Sequence, residues 1–164
     1  MGAGCETIRV VERAQEERQK SEYDQIWVVF DKDDFPSDDF NQAVFMAERL
    51  GFGVAYSNQA FEYWLILHFE DHQGGGMHRD DYHDKLNEYL QGFGLSYDGK
   101  GSKLVTKPIF DILLATDRQT DTPRIQLALR RAKRIYDQHL HGSPASEEST
   151  TTVFRLVEEI LKYI

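Results

Sequence analysis

Ile26-Trp27-Val28-Val29-Phe30-Asp31-Lys32-Asp33-Asp34 is the stretch on which the reading of this chain turns. Five apolar residues in a row, three of them β-branched, predict a strand buried on both faces. The run stops abruptly at Asp31, Asp33 and Asp34. In an open α/β sheet, ligands bind at the carboxyl ends of the strands. Carboxylates spaced D-x-D at that edge suit Mg²⁺ or Mn²⁺, because hard cations take oxygen ligands and Mg²⁺ keeps several waters. An acidic strand-to-loop turn that is only solvated has the same pattern.

After the acidic cluster, Pro36 and Ser37 break the chain. Ser37 or Asp38 can cap a helix that runs to Leu50, and Gly51 fits the position just beyond its end. Phe40, Val44 and Ala47 form its apolar stripe. Residues 53–57 read as a second strand, so strand, helix and strand make a βαβ unit. Its strands are expected to be parallel, with a right-handed crossover. Upstream, 6–20 reads as a helix with Ile8, Val11 and Ala14 on one face. Downstream, 59–69 is apolar nearly all round and predicts a buried helix.

Gly74-Gly75-Gly76 is a break. Helices are expected at 79–91 (Tyr82, Leu86 and Leu90 in register), 108–116, 122–140 and 150–162. Residues 92–107 read as a loop and 142–149 as a polar linker. The expected fold is α/β: a small parallel sheet with flanking helices and a helical C-terminal part. It divides into an α/β part over 1–72 and a mostly helical part over 77–164. Two strands are fewer than the four to six or so of a usual sheet.

The 164 residues fit one domain with a real core. No apolar run approaches the ~20 residues of a membrane span. The first residues lack the plan of a secretory signal. A single cysteine, Cys5, rules out an intrachain disulfide and suits a reducing, cytoplasmic location. The net charge of −9 argues against a protein coated for nonspecific nucleic-acid binding. It is unevenly spread, however: residues 100–134 carry +6 and the remainder −15. Lys100, Lys103, Arg130, Arg131 and Arg134 are the candidates there for phosphate contacts. A solvated helix face, or one paired with the acidic remainder, fits the same distribution.

Parallel neighbours end on the same side of a sheet, so the edge carrying Asp31 and Asp33 is expected to carry Asn58, with Glu62 one turn above. A carboxylate there enjoys the helix dipole or simply stabilises the helix start. His68 lies in an apolar run, where a lone histidine is more often a hydrogen-bonded core residue than a catalyst; it stands with Asn58 as a candidate for the site edge. His68, His72, His78 and His83 lack regular zinc spacing, and no Walker loop, H-E-x-x-H or G-x-S-x-G string is present.

Two strings carry a family resemblance. They are Val28-Val29-Phe30-Asp31-Lys32-Asp33-Asp34-Phe35 and Ser57-Asn58-x-x-Phe61-Glu62-x-Trp64-Leu65-x-Leu67-His68-Phe69. With Tyr97-Asp98-Gly99-Lys100 and Thr152-Val153-Phe154-Arg155-Leu156-Val157, they resemble the RloB family from about residue 5 to the end. The resemblance implies a Toprim-like domain and a Mg²⁺-dependent nuclease. It also implies an ABC-type ATPase partner and a role in bacterial anti-phage defence or abortive infection.

On that implication Asp31 and Asp33, with Asp34, hold Mg²⁺ or Mn²⁺. Glu62 is a further ligand or orients a water, and Lys100 and its basic neighbours hold phosphate. A Toprim-like domain opens with a strand ending in glutamate. Here Glu6 follows only five residues, so the chain is expected to lack that first strand. A noncatalytic regulatory subunit of the ATPase complex is the rival reading. A HAD-like phosphatase also begins D-x-D, but Asp34-Phe35 departs from its pattern. The chain is also compatible with a homo-oligomer.

Overall fold

The computed structural model describes residues 7–73 and 75–164. The readings that rest on Cys5, Glu6 and Gly74 lie outside the described residues. In chain order the first elements are α1 (Thr7–Arg18), β1 (Trp27–Asp31), α2 (Ser37–Arg49), β2 (Gly53–Asn58), α3 (Glu62–Ile66) and α4 (Arg79–Gln91). Then come α5 (Lys107–Leu114), β3 (Thr116–Asp117), β4 (Thr122–Pro123), α6 (Arg124–Tyr136), a 3₁₀ turn (Pro144–Ser146), β5 (Thr150–Thr151) and α7 (Val153–Leu161).

The β1–α2–β2 unit has the expected parallel pairing, with Trp27 opposite Gly53 and Asp31 opposite Ser57. Helix α2 stops where the sequence places its glycine. Gly51 takes φ +74°, a conformation that side chains with a Cβ resist. Its N–H donates to the Glu48 carbonyl and the Phe52 N–H to that of Ala47, both at 3.0 Å. These two bonds are a Schellman stop, and they turn the chain straight into β2.

The sheet separates two apolar cores. On one face α1 and α2 bury Val11, Phe40, Val44 and Ala47 against Val28, Val54 and Tyr56. Phe40 stands edge-on to both Phe30 and Tyr56, at 5.6 and 5.4 Å between ring centres. It is fully buried, so Phe40→Ala is expected to cost about 3–5 kcal/mol. On the other face Ala55 meets α3 to α7, whose buried residues include Tyr63, Leu67, Tyr82, Leu86, Ile109 and Phe154.

Four expectations need correction. First, β1 is not buried on both faces: Val28 is 2% exposed but Val29 is 52%. The sheet order is β1-β2-β5, which leaves β1 at the edge. Helix α7 packs over β2, one strand further in.

Second, the sheet is mixed. Residues 150–152 do not begin the last helix: Thr150 and Thr151 pair antiparallel with Asn58 and Ser57. Threonine suits a strand, and here the hydroxyls reinforce the pairing. Thr151 Oγ1 donates to the Tyr56 carbonyl at 2.9 Å and Thr152 Oγ1 to that of Val54 at 3.0 Å.

Third, 142–149 is no solvated linker. Ala145, Glu147 and Ser149 are buried, and the Ala145 N–H donates to Asn41 Oδ1 at 2.8 Å.

Fourth, the buried helix over 59–69 is α-helical only at Glu62–Ile66. Bonds to the third residue back replace the α pattern at its ends, Trp64 to Phe61 and Phe69 to Ile66 among them.

Candidate functional site

The acidic edge is built by continuing the β1–β2 ladder past its last pair. The Lys32 N–H donates to the Ser57 carbonyl and the Asp33 N–H to that of Gln59, both at 2.9 Å. Asp33 then takes φ 45° and turns the chain away. Asp31 is thereby held at the strand end beneath the start of the α3 segment, where its carboxylate accepts the Phe61 N–H. Glu62 opens α3 and is 6% exposed.

Burial raises the Asp31 carboxyl to about 7, with further upward pushes from the Asp33 and Glu62 carboxylates. The Phe61 N–H and Lys103 pull the other way without restoring the usual range. The Asp33 and Glu62 charges thus reach Asp31, and burial with their repulsion holds its carboxyl well above the usual carboxylate range.

Three more residues complete the wall. Tyr97 is 4% exposed, and its hydroxyl donates to Glu62 Oε1 at 3.0 Å. Burial and the Glu62 charge push the phenol well up, so it remains a donor. Asp98 closes the next turn by accepting the Gly101 and Ser102 N–H groups, both at 2.9 Å. A Cβ at Gly101 would lie 2.3 Å from that carboxylate, so only glycine allows so close an approach. The turn returns the Lys103 N–H to the Asp98 carbonyl at 2.9 Å and brings Lys103 within electrostatic reach of Asp31. From the opposite side, Arg79 at the start of α4 places Nη1 3.0 Å from Asp33 Oδ1. That contact is ionic only: Asp33 Oδ1 is buried and receives no hydrogen bond.

The predicted residues therefore divide. Asp31, Asp33, Glu62 and Lys103 come together. Asp34 and Lys100 are exposed beside them. Asn58 stands at the right strand end but works as an anchor. Its amide donates to the carbonyls of Pro144, Ala145 and Glu147 at 3.0–3.2 Å, pinning the 3₁₀ turn.

His68 is 2% exposed and lies at the other end of the α3 segment. It bonds the Trp64 carbonyl at 3.0 Å, and burial pushes its imidazole down to about 4. It borders an apolar groove of about 600 Å³ lined by Trp64, Phe110, Leu113 and Ile160 among others.

The arginine cluster is also divided. Arg131 donates to the Leu67 carbonyl at 2.7 Å, Arg134 pairs with Asp71, and Arg130 is exposed. The first two are tied to the segment that follows α3, which a reading of charge alone does not show. Tyr97 and Arg79 received no role from the sequence. Tyr97 had a signal in its Tyr-Asp-Gly-Lys string, whereas Arg79 had none.

A family model described as RloB-like protein matches residues 3–160. The chain belongs to the RloB-like family. No curated protein and no solved structure matches it. Among the described residues of this RloB-like chain, no three His, Cys, Asp or Glu side chains are grouped so as to hold a metal ion by themselves. The two side chains at the acidic edge that could contribute to a divalent cation are Asp31 and Asp33. Asp31 is denied its charge by burial and its acidic neighbours, while Asp33 Oδ1 receives no hydrogen bond but already lies 3.0 Å from the Arg79 guanidinium. Mg²⁺ is commonly held by one or two carboxylates, with water and substrate phosphate completing its shell. No helix among the described residues is long and apolar enough to cross a membrane.

Proposed function

We propose that this RloB-like chain is a Mg²⁺- or Mn²⁺-dependent phosphodiester hydrolase acting on nucleic acid, on a Toprim-like domain, in the cytoplasm. Its setting is an anti-phage or abortive-infection system with an ABC-type ATPase partner. The observation that carries the reading is the placement of Asp31 at the end of β1, with Asp33 held just beyond it by the Gln59 carbonyl and buried Glu62 opening α3.

Asp31 and Asp33 are the residues that hold the cation, which when bound supplies charge for phosphate oxygens and an acidified water. Tyr97 fixes Glu62 through Oε1, so that this carboxylate faces the centre in one orientation. Lys103, with exposed Lys100 further along the same turn, offers positive charge to the phosphate. Arg79 holds Asp33 in place while substrate and cation are absent.

The test is cleavage of single- and double-stranded DNA and RNA in Mg²⁺, in Mn²⁺ and in EDTA, with calorimetry of the metal alone. Metal binding is expected to be weak and to vanish in Asp31→Asn and Asp33→Asn. Cleavage in Asp31→Asn should fall by about a thousandfold or more, since the metal supplies several kcal/mol of charge stabilisation. Tight metal binding indifferent to both substitutions refutes the assignment.

The rival reading, a noncatalytic subunit of the ATPase complex, draws on the Arg79–Asp33 contact. There a guanidinium already neutralises one of the two carboxylates. It is supported instead if Arg79→Gln leaves the chain inactive while the ATPase partner still co-purifies with Asp31→Asn.

A further inference from the structure

A second cavity, of about 680 Å³, lies at the far end of the α3 segment, between α4, α6 and the β3–β4 hairpin. None of the carboxylate-edge residues lines it. Its floor is aromatic. Phe69 and Tyr89 stack with ring centres 5.2 Å apart and planes 3° from parallel. Phe93 tilts against Phe69 at 6.3 Å and is 43% exposed, a large ring left open to the cavity mouth.

Above these rings sits Arg124. Its guanidinium lies 5.7 Å from the Phe69 ring centre and 5.2 Å from that of Phe93. Arg124 is 7% exposed, yet its Nε has no hydrogen-bond partner. The other guanidinium nitrogens are engaged only by long contacts: Nη2 to Asp117 at 3.5 Å, and Nη1 to the carbonyls of Ile112, Ala115 and Thr116 at 3.4–3.5 Å. A buried N–H without an acceptor is rare in a folded protein. At the rim, exposed Arg118 and Gln119 follow Asp117, whose carboxylate fixes their turn by accepting the Gln119 and Thr120 N–H groups.

An open aromatic platform, a buried guanidinium over it and an exposed arginine at the rim together match one kind of ligand. We propose that this cavity binds a nucleotide by its base, the ring stacked on Phe93 beside the Arg124 guanidinium, with the phosphate towards Arg118. Every base has a π-face for stacking, and arginine adds a cation–π component. Purines offer the larger face, so they are expected to bind more tightly than pyrimidines. The inference does not depend on the hydrolase reading, because binding here needs no metal.

The experiment is calorimetry in EDTA with AMP, GMP and UMP, with ribose 5-phosphate as the ligand lacking a base, and with a short single-stranded oligoadenylate. The nucleoside monophosphates should bind saturably, purines best, and ribose 5-phosphate should not. Phe93→Ala should weaken AMP about tenfold, the order expected for one base–aromatic stack, and Phe93→Tyr should restore it. Phe93 is half exposed, so these variants are expected to fold. Arg118→Gln should weaken AMP more than adenosine. Tighter binding of the oligomer with the same Phe93 dependence identifies the base as part of a strand, and preference for AMP identifies a free nucleotide. Absence of binding by every base-containing ligand overturns the proposal. So does equal binding of ribose 5-phosphate, or affinity unchanged in Phe93→Ala.

Discussion

At one end of the buried segment 61–69, Glu62 and Asp31 crowd together with Asp33. At the other end, His68 lies among Trp64 and the apolar groove. Both ends take an ionisable side chain out of water, and they meet the cost differently. His68 becomes neutral, bonds the Trp64 carbonyl and stands edge-on to the Trp64 ring at 5.0 Å between ring centres. Asp31 receives one backbone N–H and a distant lysine, against two carboxylates of its own sign. Burial without compensation, maintained by a well-formed ladder and a Schellman stop, is what a binding or catalytic centre requires. The same short segment supplies a compensated end and an uncompensated one.

The largest expected effect breaks the contrast from the acidic side. The folded pKa of Asp31, about 7, exceeds its ordinary value, so the folded protein holds more protons than the unfolded chain between about pH 4 and 7. Stability therefore falls as pH rises through that window. Asp31→Asn removes the titration and should raise stability at pH 8 by on the order of 3–4 kcal/mol, since each tenfold change in proton affinity is worth about 1.36 kcal/mol. Urea unfolding of both proteins at pH 5 and pH 8 measures this. A variant no more stable than the parent at pH 8 would show that the acidic end carries no such strain.

The opposite substitution sharpens the contrast. His68 has a folded pKa of about 4, below its ordinary 6.5, so its contribution is complete above pH 6.5 and is lost as pH falls towards 4. The full loss is on the order of 3 kcal/mol. Between pH 4 and 6.5 the Asp31 and His68 slopes oppose each other, and the parent should be nearly level there. Asp31→Asn should expose the histidine slope, with stability rising with pH. His68→Phe should expose the aspartate slope, falling with pH. Parallel profiles for the two variants would mean that one of the two groups is not in the environment described.

How much of this could be read from residues alone differs between the two ends. Asp31, Asp33 and Glu62 were legible because strand polarity and the spacing of one βαβ unit place them at one edge without knowledge of distant contacts. His68 was a candidate for both the core and the site edge. Its apolar neighbours favoured the first, and the structure places it away from the acidic edge. What escaped depends on contacts distant in sequence. Tyr97 reaches Glu62 across 35 positions, Arg79 reaches Asp33 from another helix, and Asn58 looks like a site residue until the 144–147 carbonyls claim its amide. The threonines at 150–152 were read into a helix because an amphipathic pattern follows them. The hydroxyl bonds of Thr151 and Thr152 to β2 override it. The edge exposure of Val29 was hidden for a related reason: an apolar run records strand propensity, not the width of the sheet that will cover it.

The smallest expected effects separate arginines that composition treats as one basic stripe. Arg131 is partly buried, and its Nη1 bonds the Leu67 carbonyl at 2.7 Å, which ties α6 to the residues just before His68. Arg131→Gln leaves that carbonyl without its charged donor and should cost about 1–2 kcal/mol in urea unfolding. Arg130 is exposed, and Arg130→Gln should change stability by less than about 0.5 kcal/mol. If the chain binds nucleic acid through this face, each lost phosphate contact should reduce the slope of log affinity against log salt by about one, as fewer condensed counterions are released. Arg130→Gln should therefore flatten the slope without weakening the fold, and Arg131→Gln should weaken the fold first. Joint replacement of Arg130, Arg131 and Arg134 confounds the two effects, because Arg134 also pairs with Asp71. If Arg130→Gln leaves the slope unchanged while Arg131→Gln still destabilises, α6 is a structural helix whose positive charge serves the histidine end alone. On the hydrolase proposal, phosphate contacts at the carboxylate edge would then fall to Lys100 and Lys103.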